Sequence, residues 1–525
     1  MRMANRYGGR KAAEIIAFFV YLLALSALIL PDYDGFVNHF YTARWIAGGF
    51  CTALAACVLF LLSRSGAGLR LKSCCVAMSV VTAMALAVAW WNHFQGDGSY
   101  LRGTFDNPTG LALTLLLCCP FVLWGWDNNA CLGAVVFLIG ISLAFTQCRT
   151  ALLLFCLFLA LRYRHQRYIL AGVVLLAAVS VFLFVQKSES TSGRWFIIQR
   201  TLELAMQSPW IGWGRYGFQR EYMPHQAEWF MVHPDSPYTM LAGNITHPYC
   251  DYLLILVNYG IIGLTVVVGL LIAVMWQLGK NAGWYSPFSQ SMFLLLGFAV
   301  FSYPSEYPFS WFILAQALVV ALWRSPGLQP LIRNSVVSYL AVPVICLSVM
   351  TLCIGETFRQ KAWYEVFRQM PWTSPKENVA RLSAIQEKWR DDEFFLFHLA
   401  SNYLMARNYS QCKAALDKRA QMARDYYQEE MQGRLYLEKG EYENALRHFG
   451  IASAMFPVKL YPRYQMFVLN RRMGNIAASL EIQSTVRKMP IKVPSARAEL
   501  YRRAILWESL RDSLTISTDS VSMSP

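Results

Sequence analysis

Along the chain, unbroken apolar stretches alternate with short polar ones until about residue 354, and the pattern then changes to scattered apolar positions in a charged background. The stretches run at 12–30, 42–62, 74–93, 109–126, 130–147, 150–161, 168–186, 249–276, 290–303, 309–323 and 335–354. Most approach the ~20 residues that a helix needs to cross ~30 Å of hydrocarbon, so the pattern predicts about eleven spans, with those at 150 and 290 short by that measure. The first stretch follows the basic start MRMANRYGGRK and leads into LPDYDG with no small-residue cleavage site, which predicts a retained anchor.

Beyond residue 354 the periodicity is that of paired helices. Gly433, Tyr436, Gly440, Tyr442, Ala445, Phe449, Ala452 and Pro457 follow the small-and-aromatic spacing of tetratricopeptide repeats, and Ala400, Tyr403, Tyr409, Cys412 and Leu416 repeat it one period earlier. A third copy after Tyr464 matches poorly. The expected fold is all-α: a polytopic membrane domain over 1–354 with a large outer loop at 187–247, then a soluble helical-repeat, tetratricopeptide-like domain over 355–525. An ordinary helical bundle is the other reading of that last part, and in either case its surface suits docking better than chemistry.

Composition sharpens the division. The 525 residues are 56% apolar and 15% charged, which excludes one large soluble globule. Residues 355–525 hold 45 charged side chains in 171 positions, whereas the first 354 residues hold 34. With the N-terminus in the cytoplasm, thirteen Lys and Arg residues, among them Arg64, Arg70, Arg162, Arg164, Arg167, Arg324 and Arg333, fall in inner short segments, against Arg44, Arg102 and Arg149 outside. That orientation puts both the large loop and the C-terminal domain outside. Of the 13 cysteines only Cys412 lies in the charged third, and no disulfide framework or metal-ligand spacing emerges. The net charge of +15 comes mainly from inner segments and forms no basic stripe, so nucleic acid is not an expected partner.

Polar residues collect at the outer membrane edge: Arg102 in LRGTFDNPTG, Arg149 in TQCRTAL, Arg194 in TSGRWFIIQR, Arg215 in GWGRYGF, His247 in NITHPYCDYLL and Glu306 in FSYPSEYP. An ionisable group beside a span is costly and by default functional. For Arg149, a hairpin breaking near Gln147 lifts the guanidinium to the outer edge, whereas one continuous helix would leave it near mid-bilayer. The loop also carries many aromatic residues, Trp195, Trp210, Trp213, Tyr216, Phe218, Tyr222, Trp229, Phe230 and Tyr238. They suit sugar stacking and interfacial anchoring equally.

In order, GTFDNPTGLAL, QCRTALL, SGRWFIIQRTLELAMQSPWIGWGRYGF, ITHPYCDYLLILVNYGIIGL and FSYPSEYP resemble the motifs of the O-antigen ligase and Wzy polymerase superfamily, which includes bacterial O-oligosaccharyltransferases. Thr109, Cys148 and Pro248 stand where that family more often has Asn, Ser and Asn. The resemblance implies glycan transfer at the outer face of a bacterial inner membrane, from an undecaprenyl-pyrophosphate-linked glycan to an acceptor hydroxyl, in a membrane lipid setting and with neither cofactor nor metal. Arg149 and Arg194 would then clamp the pyrophosphate through bidentate guanidinium forks, with Arg215 and Arg102 as weaker candidates. His247 would accept the proton of the attacking hydroxyl. A loop histidine before proline is otherwise a hydrogen-bonded structural residue.

The acceptor stays open among lipid A core, a second glycan repeat unit and a protein Ser or Thr, the C-terminal repeats slightly favouring a protein acceptor or partner. Two rival classes remain. Asp32 and Asp34 form a D-x-D in the first outer segment, as a metal-dependent transferase would require, although two acidic residues in a turn are common. A lipid-linked glycan transporter or envelope scaffold should instead carry polar groups at mid-membrane depth, and here they crowd the outer edge.

Overall fold

A computed structural model describes residues 2–64, 69–96, 100–124, 129–165, 172–174, 188–323, 336–492 and 494–507. Among them every regular element is helical. The stretch expected at 168–186 lies outside the described residues except for 172–174, as do Arg167, Arg324 and Arg333. The chain divides into two compact units, one made of 1–187, 249–252 and 265–368, the other of 188–248, 253–264 and 369–525.

The first unit contains α1 (Arg2–Ile29), α2 (His39–Arg64), α3 (Leu71–Phe94), α4 (Pro108–Val122), α5 (Asn129–Thr146) and α6 (Arg149–Arg162). It also holds most of α9 (Asp251–Ala282), then α10 (Pro287–Ala299), α11 (Pro308–Trp323) and most of α12 (Val336–Gln369). Among the described residues, five helices are long and apolar enough to cross a membrane: Arg10–Ile29, Tyr41–Ser63, Leu71–Phe94, Asp251–Ala282 and Tyr339–Trp372. The apolar helices Pro108–Val122, Cys131–Thr146, Pro287–Ala299 and Pro308–Leu322 are shorter. Burial explains α4. Its sequence PTGLALTLLLCCPFV carries no charge and is apolar all round, so it sits at the centre of the unit, packed on α3, α5, α6 and α10.

The chain turns sharply between α5 and α6, where Gln147 adopts a left-handed backbone (φ 54°). The break is therefore where the hairpin reading put it, and Arg149 occupies the first turn of α6. At its other end, α12 runs uninterrupted through Gly355 to Gln369, past the point where charge density rises.

The second unit combines α7 (Ser188–Gln207) and α8 (Gly217–Val232) of the large loop with a last described helix over 496–507 and, before it, seven C-terminal helices. These are α13 (Pro375–Ile385), α14 (Glu393–Met405), α15 (Tyr409–Ala420), α16 (Tyr426–Glu438), α17 (Tyr442–Met455), α18 (Leu460–Arg472) and α19 (Ile476–Lys488). The C-terminal helices pair with a fixed turn. Arg407, Gly440 and Gly474 all have positive φ (58°, 79° and 79°). The next residue in each case donates its N–H to a carbonyl five residues back: Asn408 to Tyr403, Glu441 to Tyr436 and Asn475 to Asn470, at 2.8–2.9 Å. This is the Schellman closure of a helix end, repeated at almost constant spacing. The third pair, poorly matched in sequence, thus has the same turn. Between helices, a Cβ on Gly433 would lie 2.7 Å from the Phe449 ring, and Tyr436 stacks on His448 at 5.2 Å.

The repeats contain a charge network centred on the buried Arg419. Arg419 donates to Asp425 Oδ1 at 2.9 Å and to Glu393 Oε2 at 2.8 Å, and its Nη1 also reaches Gln428 Oε1 at 3.2 Å. Removing Arg419 strands the largely buried Asp425 carboxylate, while Glu393 stays half in solvent. Arg419→Ala is therefore expected to lower the stability of the repeat helices by about 3–5 kcal/mol, read as an earlier thermal transition in circular dichroism of the full-length protein.

Candidate functional site

One end of the first unit gathers polar residues. The chain between α3 and α4 docks there through the Leu101 N–H, which donates to Phe145 O at 3.1 Å. Arg102 is thereby set beside the end of α5 that leads into Arg149. Arg149 itself is 9% exposed. Asn107 caps α4, its Oδ1 accepting from Thr109 N at 2.9 Å and Gly110 N at 3.3 Å, and it also accepts from the Tyr307 hydroxyl at 3.2 Å. The approach is close enough that a Cβ on Gly110 would meet the Tyr307 ring at 2.7 Å.

Arg44, absent from the sequence-based candidates, is almost fully buried at the same end. Its guanidinium donates to Thr104 Oγ1 at 2.8 Å and Ile29 O at 3.4 Å, and lies 4.1 Å from the Phe105 ring centroid. It thus ties the end of α1, the start of α2 and the segment before α4 together. Tyr41 donates to Glu306 Oε2 at 2.8 Å, and Trp45 Nε1 donates to the Glu306 carbonyl at 3.2 Å. Burial pushes the Asp106 carboxyl above its ordinary range, against the opposing pull of the Asn107 N–H and the Arg44 charge. Asp251, also unanticipated, opens α9 and accepts from both Ser305 N (2.9 Å) and Ser305 Oγ (2.7 Å). It fixes the short helical turn Pro304–Glu306 that presents Glu306 and Tyr307.

In the second unit the loop motifs serve a backbone purpose. Within α9, Gly260 has non-helical dihedrals (φ 64°, ψ −169°). Such a break frees the carbonyls of residues 257 and 258 and the N–H groups of 261 and 262, which an intact helix would pair with one another. The loop satisfies all four. Trp213 N–H donates to Val257 O and Gly214 N–H to Asn258 O, both at 2.8 Å, while Ile261 N–H donates to Pro209 O at 2.8 Å and Ile262 N–H to Trp210 O at 3.3 Å. Contact is so close that a Cβ on Gly260 would lie 2.2 Å from Trp210 O. The Asn258 side chain completes the interlock, accepting from Phe218 N at 2.9 Å and donating to Arg215 O at 3.1 Å. Arg215 is held by its carbonyl, its guanidinium lying exposed 5.1 Å from the Tyr216 ring.

The segment leading to His247 is anchored on the repeat helices. Gln226, fully buried in α8, donates to Gly243 O at 3.2 Å and to Met455 O of α17 at 2.7 Å. Asn244 accepts from Tyr426 N at 3.2 Å and donates to Asp425 Oδ2 at 3.4 Å, and Arg424 N–H donates to Gln219 O at 3.1 Å. Asp425 belongs to the Arg419 network, so that network reaches a residue three positions before His247. Arg194 lies half-buried in α7 next to Gly193, which abuts Leu241.

The five predicted residues therefore divide: Arg102 and Arg149 share one end of the first unit, while Arg194, Arg215 and His247 belong to the second. Of the loop aromatics, Phe218, Tyr222 and Phe230 are core residues, whereas Trp195 and Trp210 are exposed. Asp32, Asp34 and His39 bring potential ligand atoms within 4.8 Å of one another at an exposed position, and His39 Nε2 is 3.8 Å from Asp32 Oδ1.

The interlock makes a sharp prediction. Gly260→Ala should destabilise the loop by on the order of 3 kcal/mol or more, since it combines a forbidden φ with backbone overlap. Gly269→Ala in the same helix meets nothing within 4 Å and should be neutral. Limited proteolysis between residues 188 and 248 distinguishes the two outcomes.

No curated protein matches the chain. Residues 134–268, from α5 through the loop into α9, match the family model described as O-Antigen ligase, which supports a relationship to the O-antigen ligase superfamily, a multi-pass membrane setting and ligase-type glycan transfer in general terms.

Proposed function

We propose that the protein transfers a glycan from a polyprenyl-pyrophosphate carrier, of the undecaprenyl kind, to an acceptor hydroxyl at the periplasmic face of a bacterial inner membrane. The observation that carries this reading is the O-Antigen ligase match over 134–268, a segment that contains Arg149, Arg194, Arg215 and His247. In the reaction, the acceptor oxygen attacks the anomeric carbon and the bond from that carbon to the pyrophosphate oxygen breaks. The acceptor proton passes to His247, and the carrier leaves as a polyprenyl pyrophosphate.

The arginines suit the leaving group. Negative charge grows on the departing oxygen, and fixed guanidinium forks stabilise it most where water is excluded. Arg149, nearly buried at the start of α6, adds its charge to the positive end of the helix dipole. We assign Arg149 and Arg194 to the donor pyrophosphate, with Arg102 and Arg215 as auxiliary positive charge. The N-terminus is cytoplasmic in this reading, and the tetratricopeptide-like domain over 355–525 is periplasmic and receives a protein acceptor or partner. Repeat-unit polymerisation is the same chemistry with a glycan acceptor.

A second reading, metal-dependent transfer, is favoured by the grouping of Asp32, Asp34 and His39. The deciding experiment gives the purified protein a pyrophosphate-linked glycan and, in parallel, lipid A core, a second lipid-linked repeat unit and an unfolded Ser/Thr-rich protein, with and without EDTA. Transfer to one acceptor despite EDTA is expected, and loss of transfer with EDTA, restored by a divalent cation, would establish the second reading. His247→Ala is expected to lower turnover at least about 100-fold, the usual contribution of a general base, without impairing membrane insertion. Arg149→Lys should fail as well, because a point charge does not replace a fork. Normal turnover in either variant removes that residue from the mechanism.

A further inference from the structure

Helix α7 carries a line of exposed apolar side chains. Trp195, Leu202 and Met206 are spaced seven and four residues apart, which places them along one side of the helix. They are 55%, 42% and 74% exposed, and the chain continues directly into Trp210 and Ile211, 68% and 73% exposed. Phe196, Ile197, Thr201, Leu204 and Ala205 of the same helix are buried, so the exposed line is not the core-facing side.

What covers this line is indicated by what holds it. Pro209 O and Trp210 O accept from the N–H groups of Ile261 and Ile262, residues that are themselves 47% and 54% exposed. Those isoleucines belong to α9, whose 32 residues are apolar enough to span a membrane and whose most apolar window is only 17% buried by protein. The exposed patch at Trp210 and Ile211 is thus joined by backbone hydrogen bonds to exposed apolar residues of a candidate span. No charged residue falls on the line itself, and tryptophans mark both its ends, where an amphipathic ring suits the headgroup layer.

We propose that Trp195, Leu202, Met206, Trp210 and Ile211 form a membrane-interface anchor, with α7 lying along the lipid surface and its exposed apolar line set into the boundary between headgroups and acyl chains. The anchor holds the loop carrying Arg194 at the depth of a lipid-linked pyrophosphate. It rests on the membrane placement of α9 and stands independently of the transfer reaction.

The test uses the full-length protein in vesicles of phosphatidylethanolamine and phosphatidylglycerol, a few per cent of the latter carrying a photoactivatable diazirine in the acyl chain. After illumination, lipid adducts are mapped by mass spectrometry. Samples are taken forward once Leu270 and Ile272 of α9, 62% and 63% exposed, carry adducts. Adducts on Leu202, Met206, Trp210 and Ile211, with none on the exposed Tyr427 and Leu480 of the repeat helices, are the expected result. Labelled α9 with an unlabelled 195–211 segment overturns the proposal and leaves the line to a sugar or a protein partner. Equal labelling of Tyr427 and Leu480 overturns it too. In the Met206→Glu variant, labelling at Leu202 and Met206 should fall at least several-fold while that of Leu270 is unchanged; unaltered labelling at Leu202 would show that the line does not act as one surface.

Discussion

A helix that breaks in or near a membrane must find new partners for the backbone groups it releases, because hydrocarbon offers none. At Gly260 four such groups are released, and residues 209–214 supply a partner for each. Much of the second unit follows from that exchange. It fixes the entry to α8, orients Asn258 toward Phe218 and Arg215, and anchors the segment that follows α7. Glycine is required on both sides of the contact, at Gly260 and at Gly212, where a Cβ would meet the carbonyl carbon of Asn258 at 2.5 Å. The motif residues of W-x-G and N-Y-G are thus constrained by geometry before any chemistry is asked of them.

The parts of this architecture legible in the sequence are those that side chains encode periodically. Apolar stretches mark the long helices, the polar interruption at Gln147 marks the turn that sets Arg149 at a helix start, and the small and aromatic positions around Gly433 mark the paired helices. The interlock was not legible in the same way, since it is made of peptide groups, and only its glycines leave a trace. Arg44 and Asp251 were passed over for a related reason. Each binds main-chain atoms of a distant segment, Arg44 at Ile29 and Asp251 at Ser305, and nothing local announces such a partner. A lone arginine in the second turn of an otherwise apolar helix is the available hint. The third helix pair is only weakly marked in the sequence because its turn rests on backbone conformation at Gly474 more than on the aromatic spacing.

The candidate residues differ in how they are supported. Arg149 is nearly buried at a helix start, a costly position that needs a reason, whereas Arg215 has its carbonyl committed to Asn258 and its side chain in solvent. His247 lies downstream of two residues whose hydrogen bonds run into the repeat helices. In the first unit, Asp106 and Tyr307 both hydrogen-bond Asn107, at the same end of the unit as Arg102 and Arg149.

Gln226 touches Gly243 with one hydrogen bond and Met455 with another, both from a single buried nitrogen. That shared donor makes the repeats and the histidine segment parts of one thermodynamic object. Any displacement of α17 alters the free energy of the segment before His247, and a displacement of that segment returns the same coupling to α17. A shift of α17 and a shift at Gly243 are then felt at the same nitrogen.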